Sequence, residues 1–238
     1  MKINSVFESI SGEAGPVIPQ GAWSTFIRTQ GCNFNPPCGY CDTPEALSWK
    51  GGIEMSVDEI LSLCQTKNIL ITGGEPLLQS EIEILISKLL EAQHIVQIET
   101  NGSVTPALIC EAPNLGFSVD VKLPSSDQLP ITVDEFVHGA GGFGVLLFCD
   151  VKVDLKFVFE TNLDLADAFN FINALEQELT HFKWAQRPRY VFSPMNAGKN
   201  LQSHQMMEFI RDQLKAIDRK IMDNMLISVQ VHKILGLP

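Results

Sequence analysis

Three cysteines fall within ten residues, Cys32, Cys38 and Cys41, in the run GCNFNPPCGYCDT. Three close thiolates can hold three irons of a cubane cluster and leave the fourth iron without a protein ligand. Iron–sulfur clusters are normally held by four thiolates, so a missing one opens a coordination site. A fully ligated cluster carries electrons; an open iron can bind a substrate or cosubstrate and act on it. The competing reading is structural zinc, which takes four ligands in paired Cys or Cys/His blocks. Here there is one C-x2-C pair with a third cysteine upstream, and the histidines (His94, His138, His181, His204, His232) lie far along the chain. Cys64, Cys110 and Cys149 each stand alone in apolar or helical surroundings, where a cysteine behaves as a small hydrophobe.

Met1–Ile10 lacks a basic stretch followed by an apolar one, so no secretory leader is expected and the chain is placed in the cytoplasm. Thiols there stay reduced, which favours metal binding or catalysis over bridges. At 238 residues and 45% hydrophobic, the chain can bury a large core of the size of an α/β barrel. A net charge of −11 excludes a nonspecific nucleic-acid binder, which needs a basic footprint. No apolar run approaches the roughly 20 residues of a membrane span.

The elements that must position the cysteines alternate. Strands are expected at Ser24–Thr29, Asn68–Thr72, Ile95–Glu99, Gly116–Val121, Leu155–Phe159, Arg189–Phe192 and Leu226–Val231. Helices are expected at Val57–Gln65, Glu81–Glu91, Leu163–Leu179 and Gln202–Ile217. The first opens on a capping box, with Ser56 as N-cap and Glu59 three residues on. Such alternation predicts parallel strands joined by right-handed crossovers, here an α/β fold, an incomplete (β/α) barrel of about six parallel strands. Residues 1–238 read as one domain, with an irregular insertion around Pro124–Asp154 that suits a lid or an interface.

In parallel α/β folds ligands gather at the carboxyl ends of strands. Five strand ends here carry polar residues: Gly73-Gly74-Glu75-Pro76, Thr100-Asn101-Gly102, Asp120 with Lys122, Ser193-Pro194-Met195-Asn196, and His232-Lys233. Any one of them reads as ordinary turn punctuation. Five on one face beside a three-cysteine loop point to a site.

GCNFNPPCGYC followed by TGGEP resembles the radical S-adenosylmethionine (SAM) enzymes, and the ordered set of motifs is similar to the 7-carboxy-7-deazaguanine synthase family. That set is Phe7-Glu8-Ser9-Ile10-Ser11-Gly12-Glu13-Ala14; Phe26 to Cys32, with Arg28; Cys41-Asp42-Thr43; Ile71–Gln79; Ile98–Gly102; and Gln230-Val231-His232-Lys233-Ile234-Leu235-Gly236. Three departures stand out. The family's common spacing is C-x3-C-x2-C, whereas this chain has C-x5-C-x2-C. Ser11 and Ser193 each replace a glutamine of the family pattern.

The resemblance implies a [4Fe–4S] cluster on Cys32, Cys38 and Cys41, SAM on the open iron, and Mg2+ on the Thr43 hydroxyl. It implies SAM contacts from Tyr40, Asp42, Gly74, Glu75, Asp120, Lys122, Ser193, Pro194, Met195 and Asn196. Substrate contacts would come from Ser11, Gly12, Glu13, Arg28, Thr72 and His232, with Arg28 taking a carboxylate in its guanidinium fork. The Pro238 carboxylate would accept from a pterin amino group. The implied reaction converts 6-carboxy-5,6,7,8-tetrahydropterin to 7-carboxy-7-deazaguanine with loss of ammonia, SAM being regenerated. A flavodoxin- or ferredoxin-type reductant and a homodimer are further implications. Two other readings are a glycyl-radical activase, which would need a docking surface for a large protein partner, and a non-catalytic iron–sulfur or zinc protein.

Overall fold

The computed structural model describes residues 1–106, 112–139, 143–149, 151–182, 186–195, 208, 210–212 and 219–237. One sheet runs through them in the order β3-β1-β2-β4-β5-β6-β7-β8-β9. The strands are β1 (Lys2–Ile10), β2 (Trp23–Thr29), β3 (Ile53–Glu54), β4 (Asn68–Gly73), β5 (Ile95–Thr100), β6 (Leu115–Asp120), β7 (Lys152–Phe159), β8 (Arg189–Pro194) and β9 (Met225–Ile227). From β2 to β9 the seven strands pair parallel, and β1 joins β2 and β3 antiparallel. This is the incomplete barrel expected, with an antiparallel extension at one edge.

The helices that lie wholly among the described residues are α1 (Val57–Leu63), α2 (Ile82–Glu91), α3 (Val133–His138), α4 (Asn162–Leu179), α5 (Arg219–Met222) and α6 (Val231–Leu235). Ser56 and Glu59 form the capping box at α1, and Thr161 with Asp164 forms another at α4. Parallel strands covered on both faces read as continuous apolar runs: Leu115 through Val119 of β6 are all buried. Leu85, Ile98, Phe117, Leu155 and Ile172 are wholly inaccessible within one core that joins sheet and helices. No helix among the described residues is long and apolar enough to cross a membrane.

Three sequence expectations change. Leu226–Val231 is not one strand: β9 ends at Ile227, and Val231 begins α6. The N-terminal loop draws the chain out of the sheet there, since Ala14 N donates to Ser228 Oγ and Val231 N donates to Gly12 O at 2.9 Å. β1 carries too many polar residues to announce itself, yet it anchors the edge, with Phe7 opposite Phe26 and the two rings stacked at 5.1 Å. The 124–154 stretch holds α3 and a 3-10 turn (Phe143–Phe148), and β7 begins within it at Lys152. Phe136 stacks on Phe143 and meets Phe171 of α4 edge-on, so this connection packs into the core. The helix expected at Gln202–Ile217 falls largely outside the described residues, of which 210–212 are helical.

Candidate active site

A cavity of about 500 Å3 opens at the carboxyl ends of the parallel strands. Cys32, Cys38 and Cys41 all line it, on the loop that leaves β2. The loop is tied to its neighbours by backbone bonds: Gly31 N to Ala46 O at 2.7 Å, Cys32 N to Leu47 O at 3.0 Å and Glu75 N to Gly31 O at 2.8 Å. The three thiols are free and half-buried. The side-chain amide of Asn101 donates to Cys32 Sγ at 3.7 Å.

Among the described residues no three His, Cys, Asp or Glu side chains converge as a single metal ion requires. A cubane makes a different demand, because it presents separate corners to separate thiolates. A donor set of sulfur alone, without imidazole, suits iron–sulfur chemistry. The residues therefore fit a cluster better than one tetrahedral ion. Burial pushes the Cys38 thiol up despite Lys122 nearby, so iron binding must displace its proton. Thr43 lines the same cavity with its hydroxyl 3.9 Å from Cys41 Sγ.

The Gly-Gly-Glu turn closes on this loop. Gly73 has φ 137°, and a Cβ on Gly74 would lie 2.1 Å from the Gly31 carbonyl oxygen. Only glycines allow that approach. Glu75, expected to contact SAM, lies behind the wall and does not line the cavity. It is wholly inaccessible, and its carboxylate accepts from Leu77 N, Thr100 Oγ1 and Asn101 N at 2.7–3.0 Å. Burial pushes it up to about 7 in spite of those donors. It joins the end of β5 to the turn after β4.

Tyr40, Asp42, Gly74, Asp120, Lys122, Ser193, Pro194 and Met195 line the cavity, and Asn196 lies outside the described residues. Lys122 Nζ is 2.7 Å from Asp120 Oδ2 and 5.5 Å from the centre of the Tyr40 ring. Burial opposes ionisation of Asp120, but Lys122 and Lys156 outweigh it and hold the carboxyl below its ordinary range. Asp42 accepts from Lys233 Nζ at 2.6 Å, which clasps α6 to the cysteine loop.

Gly12, Glu13, Arg28, Thr72 and His232 line the same cavity. Arg28 Nη1 is 3.2 Å from Glu45 Oε1, and its guanidinium sits 5.1 Å from the centre of the Phe7 ring. Its Nε is buried and has no hydrogen-bond partner. Gly12 is pressed against His232: a Cβ there would lie 1.7 Å from Nδ1. Burial lowers the His232 pKa, which favours the neutral ring. Ser11, expected at the substrate, does not line the cavity; its hydroxyl donates to Glu13 O at 3.1 Å within the turn. Pro238 lies outside the described residues.

Sequence reasoning missed Glu99 and Lys156 in this wall. Lys156 contacts Glu13, with both side chains mostly buried. Thr72 Oγ1 donates to Glu99 Oε2 at 3.3 Å. Burial pushes Glu99 up to about 7 against the pull of Lys156. Burial would depress Lys156, but Glu13, Asp120 and Glu99 outweigh it and raise its pKa. The available signal was a lysine inside the apolar strand VDLKFVF, since lysine is almost never buried without a partner.

Of the other cysteines, Cys64 is a free, buried thiol; Cys149 is buried and disulfide-bonded, not the lone reduced thiol expected; and Cys110 lies outside the described residues.

The model of the radical SAM superfamily matches residues 26–143. A 7-carboxy-7-deazaguanine synthase from Clostridium acetobutylicum is 31% identical over 247 aligned positions, covering 100% of this chain and 96% of that protein. One from Thermoplasma acidophilum is 33% identical, covering 76% of this chain and 80% of that protein. Among solved structures, Streptococcus suis SuiB bound to S-adenosylmethionine superposes with a TM-score of 0.53 at 14% identity. That likeness covers 83% of this chain and 45% of SuiB, and it is one of fold. The sulfur-lined cavity on an incomplete barrel and the full-length relative agree: the chain belongs to the 7-carboxy-7-deazaguanine synthase family of radical SAM enzymes.

Proposed function

We propose that this chain converts 6-carboxy-5,6,7,8-tetrahydropterin to 7-carboxy-7-deazaguanine and ammonia. The observation that carries this reading is the pairing, in one cavity, of three free thiols with Arg28, whose buried Nε lacks a partner. A buried unpaired donor is costly, and a substrate carboxylate is its natural complement. Cys32, Cys38 and Cys41 would hold the [4Fe–4S] cluster. When bound, cluster and SAM together supply one-electron chemistry that ends in hydrogen abstraction from carbon.

The chain's own residues bind and orient. Arg28, steadied on Phe7, holds the carboxylate. Glu13 and Glu99 accept from ring and amino N–H groups, Thr72 and His232 complete the polar edge, and Lys156 offsets the acids. Lys122, Asp120, Asp42, Gly74, Tyr40 and residues 193–195 would receive SAM. Thr43 would give a hydroxyl to Mg2+, which prefers oxygen and shares its ligands with substrate. Phe7, Phe26, Leu70 and Val158 supply an apolar wall that keeps water from the reacting carbon. A flavodoxin- or ferredoxin-type protein would deliver the electron, and two chains would pair as a homodimer.

Anaerobic reconstitution followed by electron paramagnetic resonance tests the reading. A reduced-cluster signal that shifts on adding SAM is expected. A signal indifferent to SAM means no open iron and sinks it.

A further inference from the structure

The first cysteine spacer holds five residues, Asn33 to Pro37, two more than the three-residue spacer that the family pattern leads one to expect. Asn33, Asn35, Pro36 and Pro37 are exposed. A longer exposed loop costs more entropy to hold in one shape, yet Cys32 and Cys38 at its ends must face one cavity. The bonds that hold it come from two directions. At its start, the Asn33 side chain donates to Ser103 Oγ at 2.9 Å and accepts from Asn101 Nδ2 at 3.0 Å. At its far end, Pro36 O accepts from Gln128 Nε2 at 3.0 Å, and Gly39 N donates to Ser126 O at 3.0 Å. These two bonds bracket Cys38.

Both partners belong to the short segment 124–128 that follows Lys122. Its shape is set from α4. The Asp164 carboxylate, wholly inaccessible, accepts from Ser125 N at 2.9 Å and Ser125 Oγ at 2.7 Å. The same carboxylate takes Glu160 N, Thr161 N and Thr161 Oγ1 at 2.8–2.9 Å. Ser126, also wholly buried, bonds back to Leu123 O through its hydroxyl at 2.6 Å. One buried carboxylate thus fixes both the start of α4 and the turn against which the cysteine loop rests.

We infer that Gln128 and Asp164 are positioning residues for the thiols: Asp164 shapes the 124–126 turn, and Ser126 O with the Gln128 amide holds the lengthened loop on either side of Cys38. The inference rests on the reading that these thiols carry a cluster. It assigns work to the first part of the stretch that the sequence presents as an irregular insertion.

The test uses Gln128→Ala, which removes one half-exposed amide, and Asp164→Asn. Two quantities are read beside the thermal midpoint: iron loss to a chelator from the reconstituted protein, and backbone amide exchange over residues 33–40 in the metal-free protein. Gln128→Ala should leave the midpoint within about 2 °C and speed both by about five-fold, the size a single neutral hydrogen bond supports. Asp164→Asn should speed both further. Deleting Pro36 and Pro37 restores a three-residue spacer, and in that background Gln128→Ala should change neither rate. Iron loss and exchange at the wild-type rate in Gln128→Ala overturn the inference. A wild-type protein that takes up no cluster overturns the functional reading instead, and exchange in the metal-free protein still decides the brace.

Discussion

Replacing Arg28 by Met keeps the aliphatic stem and removes the guanidinium. The guanidinium's seat over the Phe7 ring goes with it, which costs about 0.5–1 kcal/mol, so the fold should lose little. What goes is a fork of donors whose Nε is buried and unpaired. A hydrogen bond to a charged group contributes about 1.5–3 kcal/mol net, and a carboxylate seated on Nε and one terminal nitrogen makes two. Against this, substrate must displace Glu45, whose side chain is 52% exposed; such a pair is worth about 0–1 kcal/mol. The net loss for Arg28→Met is therefore about 2–6 kcal/mol, or roughly 30- to 20,000-fold in kcat/KM at 1.4 kcal/mol per decade. Arg28→Lys keeps the charge without the fork and should lose roughly tenfold. The assay is steady-state turnover, paired with binding of a tetrahydropterin that lacks the 6-carboxylate. Arg28→Met should weaken the carboxylated ligand and leave the other unchanged. Equal weakening of both, or of neither, refutes the assignment of Arg28 to the carboxylate.

Further outcomes follow from the same wall. Gly12→Ala should drive His232 off its position and lower kcat/KM. His232→Ala should then cost activity in the wild-type background and nothing more in Gly12→Ala. Lys156→Met strands Glu13, itself only 11% exposed in its side chain; breaking a buried pair costs about 3–5 kcal/mol, read as a lower urea midpoint that Glu13→Gln largely restores. In the apo protein, Glu75 and Glu99 are raised to about 7, so the folded state keeps protons that the unfolded chain has released. Their effect is nil below the unfolded carboxyl range and destabilising as pH climbs towards 7. Asp120, lowered in the folded state, acts oppositely and withdraws stability as the medium becomes acid. Urea midpoints should accordingly fall between about pH 4.5 and pH 7, and Glu75→Gln with Glu99→Gln should flatten that slope; a slope unchanged by both substitutions removes these two carboxyls as its source.

The parallel core was legible because each strand from Asn68–Gly73 to Arg189–Pro194 is an apolar run bounded by turn residues or helix caps. Most polar strand ends did meet in one cavity, since the carboxyl ends of parallel strands share a face. What escaped has physical causes. β1 is held by pairing with β2 and by the Phe7–Phe26 stack, neither of which leaves a periodic mark in its own polar sequence. The run at 226–231 has the composition of a strand, but the N-terminal loop takes its hydrogen bonds and turns Val231 into a helix. Glu75 reads as a ligand from its motif, yet its carboxylate is consumed by two backbone amides and a threonine. Lys156 left one mark, a lysine inside an apolar strand; Glu99 left none, and both join the site where Glu13, far away in sequence, folds beside them.

Product counted against SAM consumed tests the central claim most directly. Reconstituted protein, given a reductant, Mg2+, SAM and 6-carboxy-5,6,7,8-tetrahydropterin without oxygen, should release a product with the mass and ultraviolet absorbance of 7-carboxy-7-deazaguanine. Many equivalents of product should form for each SAM consumed. No product from a fully loaded cluster, or one SAM spent for each product, contradicts the account.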